Sequence, residues 1–328
     1  MSHPRGRRPN NRTPRARAFP SPLMAAVIGV AAILLIASAV MLWPGGDAEA
    51  GFEPVDSLEY EHSPNHLHGI GFDPEAGRLY LASHFGLFAA EDGQLHQVGD
   101  ERSDLMGFSM DPHDTSTIFV SGHPQGGGNL GVLRSDDEGR NFEQIFTGIG
   151  DEVVDFHSMT ISPLDSDWLY GAFMGQIYRS EDGGHNFVAM EPEGLPEFGL
   201  CWGVPCLAAA ADDPNTVLAG TQQGLMVSSD GGSTWGLTGG DLGQVAAVTV
   251  DPVAPERIVA YTETMGLAET IDGGESWESR QGDMPIVEGG VVFSIALDTT
   301  DPDRIFVATM NNDVFETTDR GQTWHQVI

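Results

Sequence analysis

The sequence predicts an all-β fold, a six-bladed β-propeller with Asp-box hairpins, preceded by one transmembrane helix. Three observations lead there. An eight-residue box recurs five times with start-to-start spacings of 45, 48, 42 and 47 residues, and a period near 45 is typical of a propeller blade. Six repeats of short strand patterns accompany the boxes. A run of 21 residues without a charge stands near the N-terminus.

The N-terminal region predicts a membrane anchor. Residues 1–22 carry six arginines and no acid, and residues 23–43 form the uncharged run. At ~1.5 Å per residue this run spans a bilayer, and the preceding positive charge keeps the tail cytoplasmic. The run exceeds a signal-peptide core of about 7–15 residues, which favours a retained signal-anchor. Small-residue sites at Ala37–Ala39 and Ala48–Ala50 leave secretion after cleavage as the alternative.

The exported part is strongly acidic. All 48 acidic residues lie after residue 46, together with only nine of the 15 arginines, which gives a formal charge of −39, and the chain has no lysine. Such a surface repels nucleic acid and anionic lipid. The expected partners are therefore the cytoplasmic membrane, through the N-terminal helix, and an unidentified extracytoplasmic protein, glycan or metal ligand.

Residues 44–65 are expected to be a linker, with a lead-in strand possible from Phe52, and residues 66–328 the propeller. Each repeat has an inner strand that ends in an Asp-Pro-like turn and a second strand such as Ile305–Thr309. The first repeat has only a degenerate box, Ala90–Gly93. The final strand, Thr323–Ile328, either closes the ring against blade 1 or completes blade 6.

The boxes share the pattern Ser/Thr-x-Asp-x-Gly-x-x-aromatic. The Asp accepts hydrogen bonds from the N–H groups of a tight turn, and the Gly two residues later takes a positive φ. Because the boxes stand at repeat spacing, their carboxylates cannot converge on one ion. We therefore interpret these acids as structural: Asp137, Asp182, Asp230, Asp272 and Asp319.

These motifs resemble the Asp-box (BNR) repeat of sialidase-like, sortilin-like and photosystem-assembly-factor-like β-propellers. The resemblance covers roughly residues 66–328, with the boxes in the same order and spacing. It implies a propeller fold. It also raises glycoside hydrolysis as a candidate activity, since many such chains are called glycosyl hydrolases, but a shared fold alone does not supply a function.

The two cysteines, Cys201 and Cys206, stand five residues apart in the exported part. In an oxidising compartment this pair predicts a small-loop disulfide. A redox or metal pair is the lesser reading, because the spacing fits neither Cys-x-x-Cys nor a zinc knuckle.

Aligning the repeats reveals two columns of side chains that blade packing does not require. The residue after the second strand is His84, His123, Met174, Gln222, Glu263 and Met310 in the six blades. Five residues before the inner-strand turn stand His68, Met106, His157, Ala208, Ala246 and Phe293. Both columns should lie at one funnel, at the end of the strands opposite the boxes. Four histidines and two methionines from blades 1–3 should meet there.

Imidazole suits copper or zinc, and thioether selects copper(I). The funnel is therefore predicted to bind a ligand or a soft metal such as copper, with zinc as the second choice. The alternative is a channel mouth filled by methionine, a flexible gap filler, with histidines that only form hydrogen bonds.

The sequence thus favours a ligand-binding or assembly module over an enzyme. A sialidase-like site needs several arginines at the funnel, and neither column contains one. The alternative function is a glycoside hydrolase that uses Glu263, the one carboxylate in a column, as one of the two acids such enzymes need.

Overall fold

The computed structural model describes residues 49–58, 66–196, 203, 206–285 and 290–328. These residues form strands and turns and no helix. The strands of the lead-in and the first three blades are β1 Phe52–Val55, β2 Leu67–Asp73, β3 Arg78–Ser83, β4 Gly86–Glu91, β5 Gln94–Val98, β6 Asp104–Met110, β7 Ile118–His123, β8 Val132–Ser135, β9 Glu143–Phe146, β10 Gly148–Ile149, β11 Glu152–Val153, β12 Ser158–Ile161, β13 Leu169–Phe173, β14 Gln176–Ser180 and β15 Val188–Met190.

The last three blades continue with β16 Cys206–Ala209, β17 Val217–Thr221, β18 Gly224–Ser228, β19 Gly236–Thr238, β20 Val245–Val250, β21 Ile258–Thr262, β22 Gly266–Thr270, β23 Glu278–Ser279, β24 Val292–Leu297, β25 Ile305–Thr309, β26 Val314–Thr317 and β27 His325–Gln326. The repeat pattern predicts six second strands: Leu79–Ser83, Ile118–Gly122, Leu169–Phe173, Val217–Thr221, Ile258–Thr262 and Ile305–Thr309. Those of blades 3–6 have the predicted bounds. Blade 2 gains one residue at the end of β7, and blade 1 gains one at the start of β3.

Each blade is an antiparallel meander of four consecutive strands, and β10 and β11 form a small hairpin between blades 2 and 3. The innermost strands of successive blades contact one another, and β2 of blade 1 contacts β24 of blade 6. The predicted six-bladed propeller is confirmed. The lead-in is a strand over Phe52–Val55, which pairs with β5 as a fifth strand of blade 1.

The hydrophobic core is divided among the blade interfaces. Six clusters of buried side chains each combine residues from two adjacent blades. Strand residues alternate in direction, so a blade buried on both faces carries apolar side chains on both. In β3, Leu81 joins the cluster shared with blade 6 while Tyr80 joins the cluster shared with blade 2.

The ring closes by packing between blades 6 and 1. β27 pairs with β26, so the C-terminal strand completes blade 6. The rings of Phe72 and Phe306 lie 4.7 Å apart between centroids. The backbone N–H of Leu67 donates to Asn312 Oδ1 at 3.0 Å, and the N–H of Ile70 donates to Ser294 Oγ at 3.1 Å.

The Asp boxes are hydrogen-bonded turns. In the blade 4 box, Asp230 Oδ1 accepts the backbone N–H groups of Ser233 and Thr234 at 3.1 and 2.8 Å. The N–H of Gly232 donates to Ser228 Oγ at 2.9 Å, and Gly232 has a φ of 92°. The backbone hydrogen bond from Thr234, with those of the Thr234 and Ser228 hydroxyls, lowers the pKa of Asp230 to about 2.

This geometry predicts a pH-dependent effect of Asp230→Ala. The pKa of Asp230 falls from an ordinary value of 3.8 to about 2 on folding, so its ionised form stabilises the fold above pH 3.8, and that contribution disappears as the pH falls towards 2. We expect a lower Tm for the variant at neutral pH and a shrinking difference below about pH 4. Thermal melts across this range test it, and a constant difference would contradict it.

The predicted tail (1–22) and signal-anchor (23–43) lie outside the described residues. None of the described residues belongs to a helix with the length and apolar character to cross a membrane. Cys206 is disulfide-bonded, and Cys201, the other cysteine of the chain, lies outside the described residues.

Candidate metal centre

Bulges at the starts of the inner strands set the direction of the funnel side chains. The pairing register of β2 with β3 shifts between Leu67 and Gly69, so that His68 is the extra residue. The same shift occurs at Met106 in blade 2, and at Ala246 and Phe293 in blades 5 and 6. A bulge re-aims a side chain that the regular pleat would send elsewhere. His68 and Met106 therefore owe their placement to an irregularity shared by four blades.

The first triad consists of His68, His84 and Asp104. His68 Nε2 lies 3.1 Å from Asp104 Oδ1, and His84 Nε2 lies 3.8 Å from Asp104 Oδ2. The two imidazole rings stack, with centroids 4.7 Å apart. The histidines belong to blade 1 and the aspartate begins the inner strand of blade 2, so the first triad joins two blades.

The second triad consists of His123, Asp155 and His157. Both histidines approach the same carboxylate oxygen, Asp155 Oδ2, with Nε2 distances of 3.1 Å from His123 and 2.7 Å from His157. The Asp155 side chain is 2% exposed, whereas the His123 side chain is 38% exposed. His123 ends the second strand of blade 2 and the other two residues precede the inner strand of blade 3, so this triad also joins two blades.

The two triads are neighbours. Asp104 of the first lies directly opposite His123 of the second in the β6–β7 ladder. Directly opposed residues of an antiparallel pair have Cβ atoms about 4.5–5.5 Å apart and point to the same face. Blade 2 thus contributes one ligand to each triad from a single cross-strand pair.

The electrostatics favour the protonation states that metal binding needs. Burial lowers the pKa of His68, against the opposing effect of Asp104, and His66 and His157 lower it further. Burial likewise lowers the pKa of His84. Burial would raise the pKa of Asp104, but its hydrogen bond with His68 and the nearby histidines bring it below its usual value. At neutral pH the first triad therefore presents neutral imidazoles and an ionised carboxylate, as metal ligands require.

Each triad fits a single cation. Its three ligand atoms all lie within 4.8 Å of one another. Nitrogen and oxygen ligands lie about 2 Å from a zinc ion, and so up to about 4 Å from each other, which small side-chain rotations would achieve. Asp155 Oδ1 is buried and has no hydrogen-bond partner within the part of the chain that the structure describes. A buried carboxylate oxygen with this environment is a suitable metal ligand.

The other funnel residues are distributed more widely. Met106 is buried and lines a central cavity of about 210 Å³ together with His68 and His157. Met174 is 72% exposed in a turn, with a φ of 49°, and Met310 is 38% exposed. Glu263 Oε2 accepts the backbone N–H of Gln244 at 3.1 Å, outside both triads.

The sequence-based columns missed Asp104 and Asp155. Both stand two residues before a column position, as His66 stands before His68, so a third column was visible in the aligned repeats. The placement of Ala208 in the first column was wrong. In blade 3 the inner-strand turn begins at Ser162, whose N–H donates to the carbonyl oxygen of Trp168 six residues later. The equivalent hydrogen bond in blade 4 starts at Ala210. The column position of blade 4 therefore lies three residues before Ala208, outside the described residues.

The described arginines are engaged elsewhere. Eight of them form ion pairs with carboxylates. The ninth, Arg102, directs Nη1 to the carbonyl oxygens of Gly99 and Glu101 at 2.9 Å. An arginine cluster of the kind that grips a substrate carboxylate is therefore not found at either triad among the described residues.

Comparison with known proteins places the fold. No protein-family model matches the sequence, and a search of curated proteins found no match. The chain is similar to a GH74 enzyme from Niastella koreensis, with a TM-score of 0.53 and 15% identity over 84% of this chain and 55% of that one. It is also similar to the GH74 xyloglucanase of Xanthomonas campestris, with a TM-score of 0.51 and 16% identity over 80% and 54%.

A third similar structure is an extracellular domain from B. thetaiotaomicron, with a TM-score of 0.50 and 14% identity over 84% of this chain and 34% of that one. The fold is that of an Asp-box propeller. This chain spans about half the length of the two GH74 enzymes. Glycoside hydrolases and an extracellular domain share the architecture, so the function has to be argued from the site.

Proposed function

We propose that this chain is a membrane-anchored, extracytoplasmic binding module that holds a divalent metal ion at the mouth of its central channel. The observation that carries the proposal is the convergence of four histidines and two aspartates from blades 1–3 into two triads. Blades 4–6 carry Gln222, Glu263 and Met310 in the corresponding column. Packing between blades does not require blades 1–3 to differ from blades 4–6 at these positions, whereas a ligand site formed by blades 1–3 does.

Copper(II) and zinc are the ions that the triads favour. Both triads offer imidazole nitrogen and carboxylate oxygen, which suit divalent ions of intermediate softness. The sequence-based preference for a soft ion depended on thioether ligands, but each triad instead pairs its histidines with a carboxylate. By the usual order of divalent affinities, copper(II) binds more tightly than zinc.

Equilibrium dialysis of the full-length chain against copper or zinc tests this proposal. We expect the double variant His84→Ala/His123→Ala to lose stoichiometric binding, because it removes one ligand from each triad. The matched control is His185→Ala. His185 is an exposed Asp-box histidine whose Nδ1 contacts the backbone oxygen of Asp182 at 2.9 Å. Equal binding by wild type and the double variant would refute the metal site.

The cellular location of the chain is a separate proposal. The arginine-rich tail and the uncharged run of residues 23–43 support an uncleaved anchor, and an extracellular domain is among the similar structures. We expect protease treatment of intact cells to remove the propeller while the chain stays in the membrane fraction. An intact mature chain in the medium, beginning near Val40 or Gly51, would instead show cleavage.

The hydrolase alternative has its own test. The similarity to GH74 enzymes makes xyloglucan a reasonable substrate to assay. Under our proposal neither wild type nor Glu263→Gln hydrolyses it. Hydrolysis by wild type that is lost in Glu263→Gln would favour the alternative.

A further inference from the structure

We infer that the two triads hold two metal ions side by side, and that this pair binds a phosphate group at the channel mouth. The inference rests on the proposed metal binding and adds the number of ions, their proximity and the class of ligand.

The triads are complete and separate ligand sets. Each has two imidazoles and one carboxylate, and they share no residue. Three protein ligands and an open position form the arrangement in which a metal ion accepts an exogenous ligand. Each triad can therefore fill independently and keep a coordination position for something else.

The cross-strand pair brings the two ions close together. Asp104 and His123 face each other across the β6–β7 ladder, and each belongs to a different triad. The Cβ atoms of opposed residues lie about 5 Å apart, and we place the two ions at a comparable distance from each other. Paired ions at roughly 3.5–4 Å are known to clamp one phosphoryl group between them.

The open positions lie on the solvent side. In the first triad His68 is fully buried while His84 is 33% exposed. In the second, Asp155 is 2% exposed while His123 is 38% exposed. Each triad thus has a buried ligand at its base and an exposed histidine at its rim, so a ligand can reach both ions from outside.

Charge selects an anion. Two divalent ions balanced by the two carboxylates leave a net charge of about +2 with neutral imidazoles. The exported part otherwise carries a charge of −39, and its described arginines are already engaged. The ions supply the positive charge that this surface lacks. A phosphate group, with two or more oxygens and a charge near −2, matches two adjacent open positions.

The test uses full-length chain loaded with copper(II) and then dialysed free of unbound metal. We expect two ions per chain in wild type and one in each of His84→Ala and His157→Ala. Electron paramagnetic resonance should show dipolar coupling between copper ions in wild type and isolated copper in both variants. Equilibrium dialysis with labelled inorganic phosphate should show one phosphate bound by loaded wild type, with at least tenfold weaker binding by either variant and by metal-free protein.

The outcomes separate this inference from the metal proposal. One ion in wild type, or two ions with uncoupled spectra, overturns the pair and leaves a metal-binding propeller. Two coupled ions without phosphate binding overturn the choice of ligand. No bound ion at all overturns both proposals. His84 is partly exposed at a strand end, so His84→Ala keeps the test informative if His157→Ala fails to fold.

Discussion

Asp155→Asn is expected to abolish the stabilisation that metal gives to the second triad. The substitution keeps the shape of the side chain but replaces the carboxyl group that both histidines approach with an amide. Loss of a residue that merely orients a ligand costs about 10–100-fold in metal affinity, so loss of a ligand should cost more than about 100-fold. At a metal concentration of 100 times Kd, wild type gains about 2.7 kcal/mol from each site. For a domain of this size that corresponds to roughly 5–10 °C in Tm.

Thermal melts with and without zinc measure the effect, and each protein serves as its own metal-free reference. This design separates a ligand role from a purely structural one. If Asp155 only holds the two histidines by hydrogen bonds, Asp155→Asn lowers the metal-free Tm and the zinc-dependent shift stays the same. His185→Ala should keep the full shift. A zinc-dependent shift in Asp155→Asn equal to that of wild type would exclude Asp155 as a ligand.

The blade architecture could be predicted from sequence because each blade repeats the same local sequence pattern. The Asp-box turn is specified within eight residues, and second strands such as Ile305–Thr309 alternate with turn signals. An alignment error in one repeat rarely extends to the others, since the next repeat restores the spacing. Blade 4 shows the limit: the Asp-Pro pattern predicts the inner-strand turn at Asp213, whereas the equivalent turn begins at Ala210.

The candidate site was only half predictable. The histidine columns were visible because the chain has only 11 histidines and four of them fall at aligned positions. Asp104 and Asp155 were not recognised, since 48 acids in the chain make an aspartate unremarkable by composition. Their partners also come from neighbouring blades, and contacts between blades are not encoded in the repeat period. The separation into two triads depends on the bulge at Met106 and the opposition of Asp104 to His123, and neither follows from the spacing of residues.

Contacts between blades also occur at the opposite end of the blades. There, Glu269→Ala is expected to cause the largest loss of stability. The Glu269 side chain is fully buried in β22 and accepts hydrogen bonds from three arginines. Arg257 Nε donates to Oε1 at 2.6 Å, and Arg280 and Arg320 donate to Oε2 at 2.7 Å. Arg320 belongs to the Asp box of blade 6, so this carboxylate joins blades 5 and 6. Removing one partner of a buried ion pair costs about 3–5 kcal/mol, because it leaves the other charge uncompensated.

The matched control is Glu278→Ala. Glu278 also pairs with Arg280, at 2.8 Å, but it is 73% exposed, and exposed pairs contribute about 0–1 kcal/mol. Burial would raise the pKa of Glu269, but the three arginines hold it below its ordinary value of 4.5. Its contribution is therefore present above pH 4.5 and is lost as the pH falls through the lowered pKa. Denaturant unfolding at neutral pH should give a large loss for Glu269→Ala and little for Glu278→Ala. Similar losses for both variants would mean that the three arginines are held by solvent and other acids rather than by Glu269.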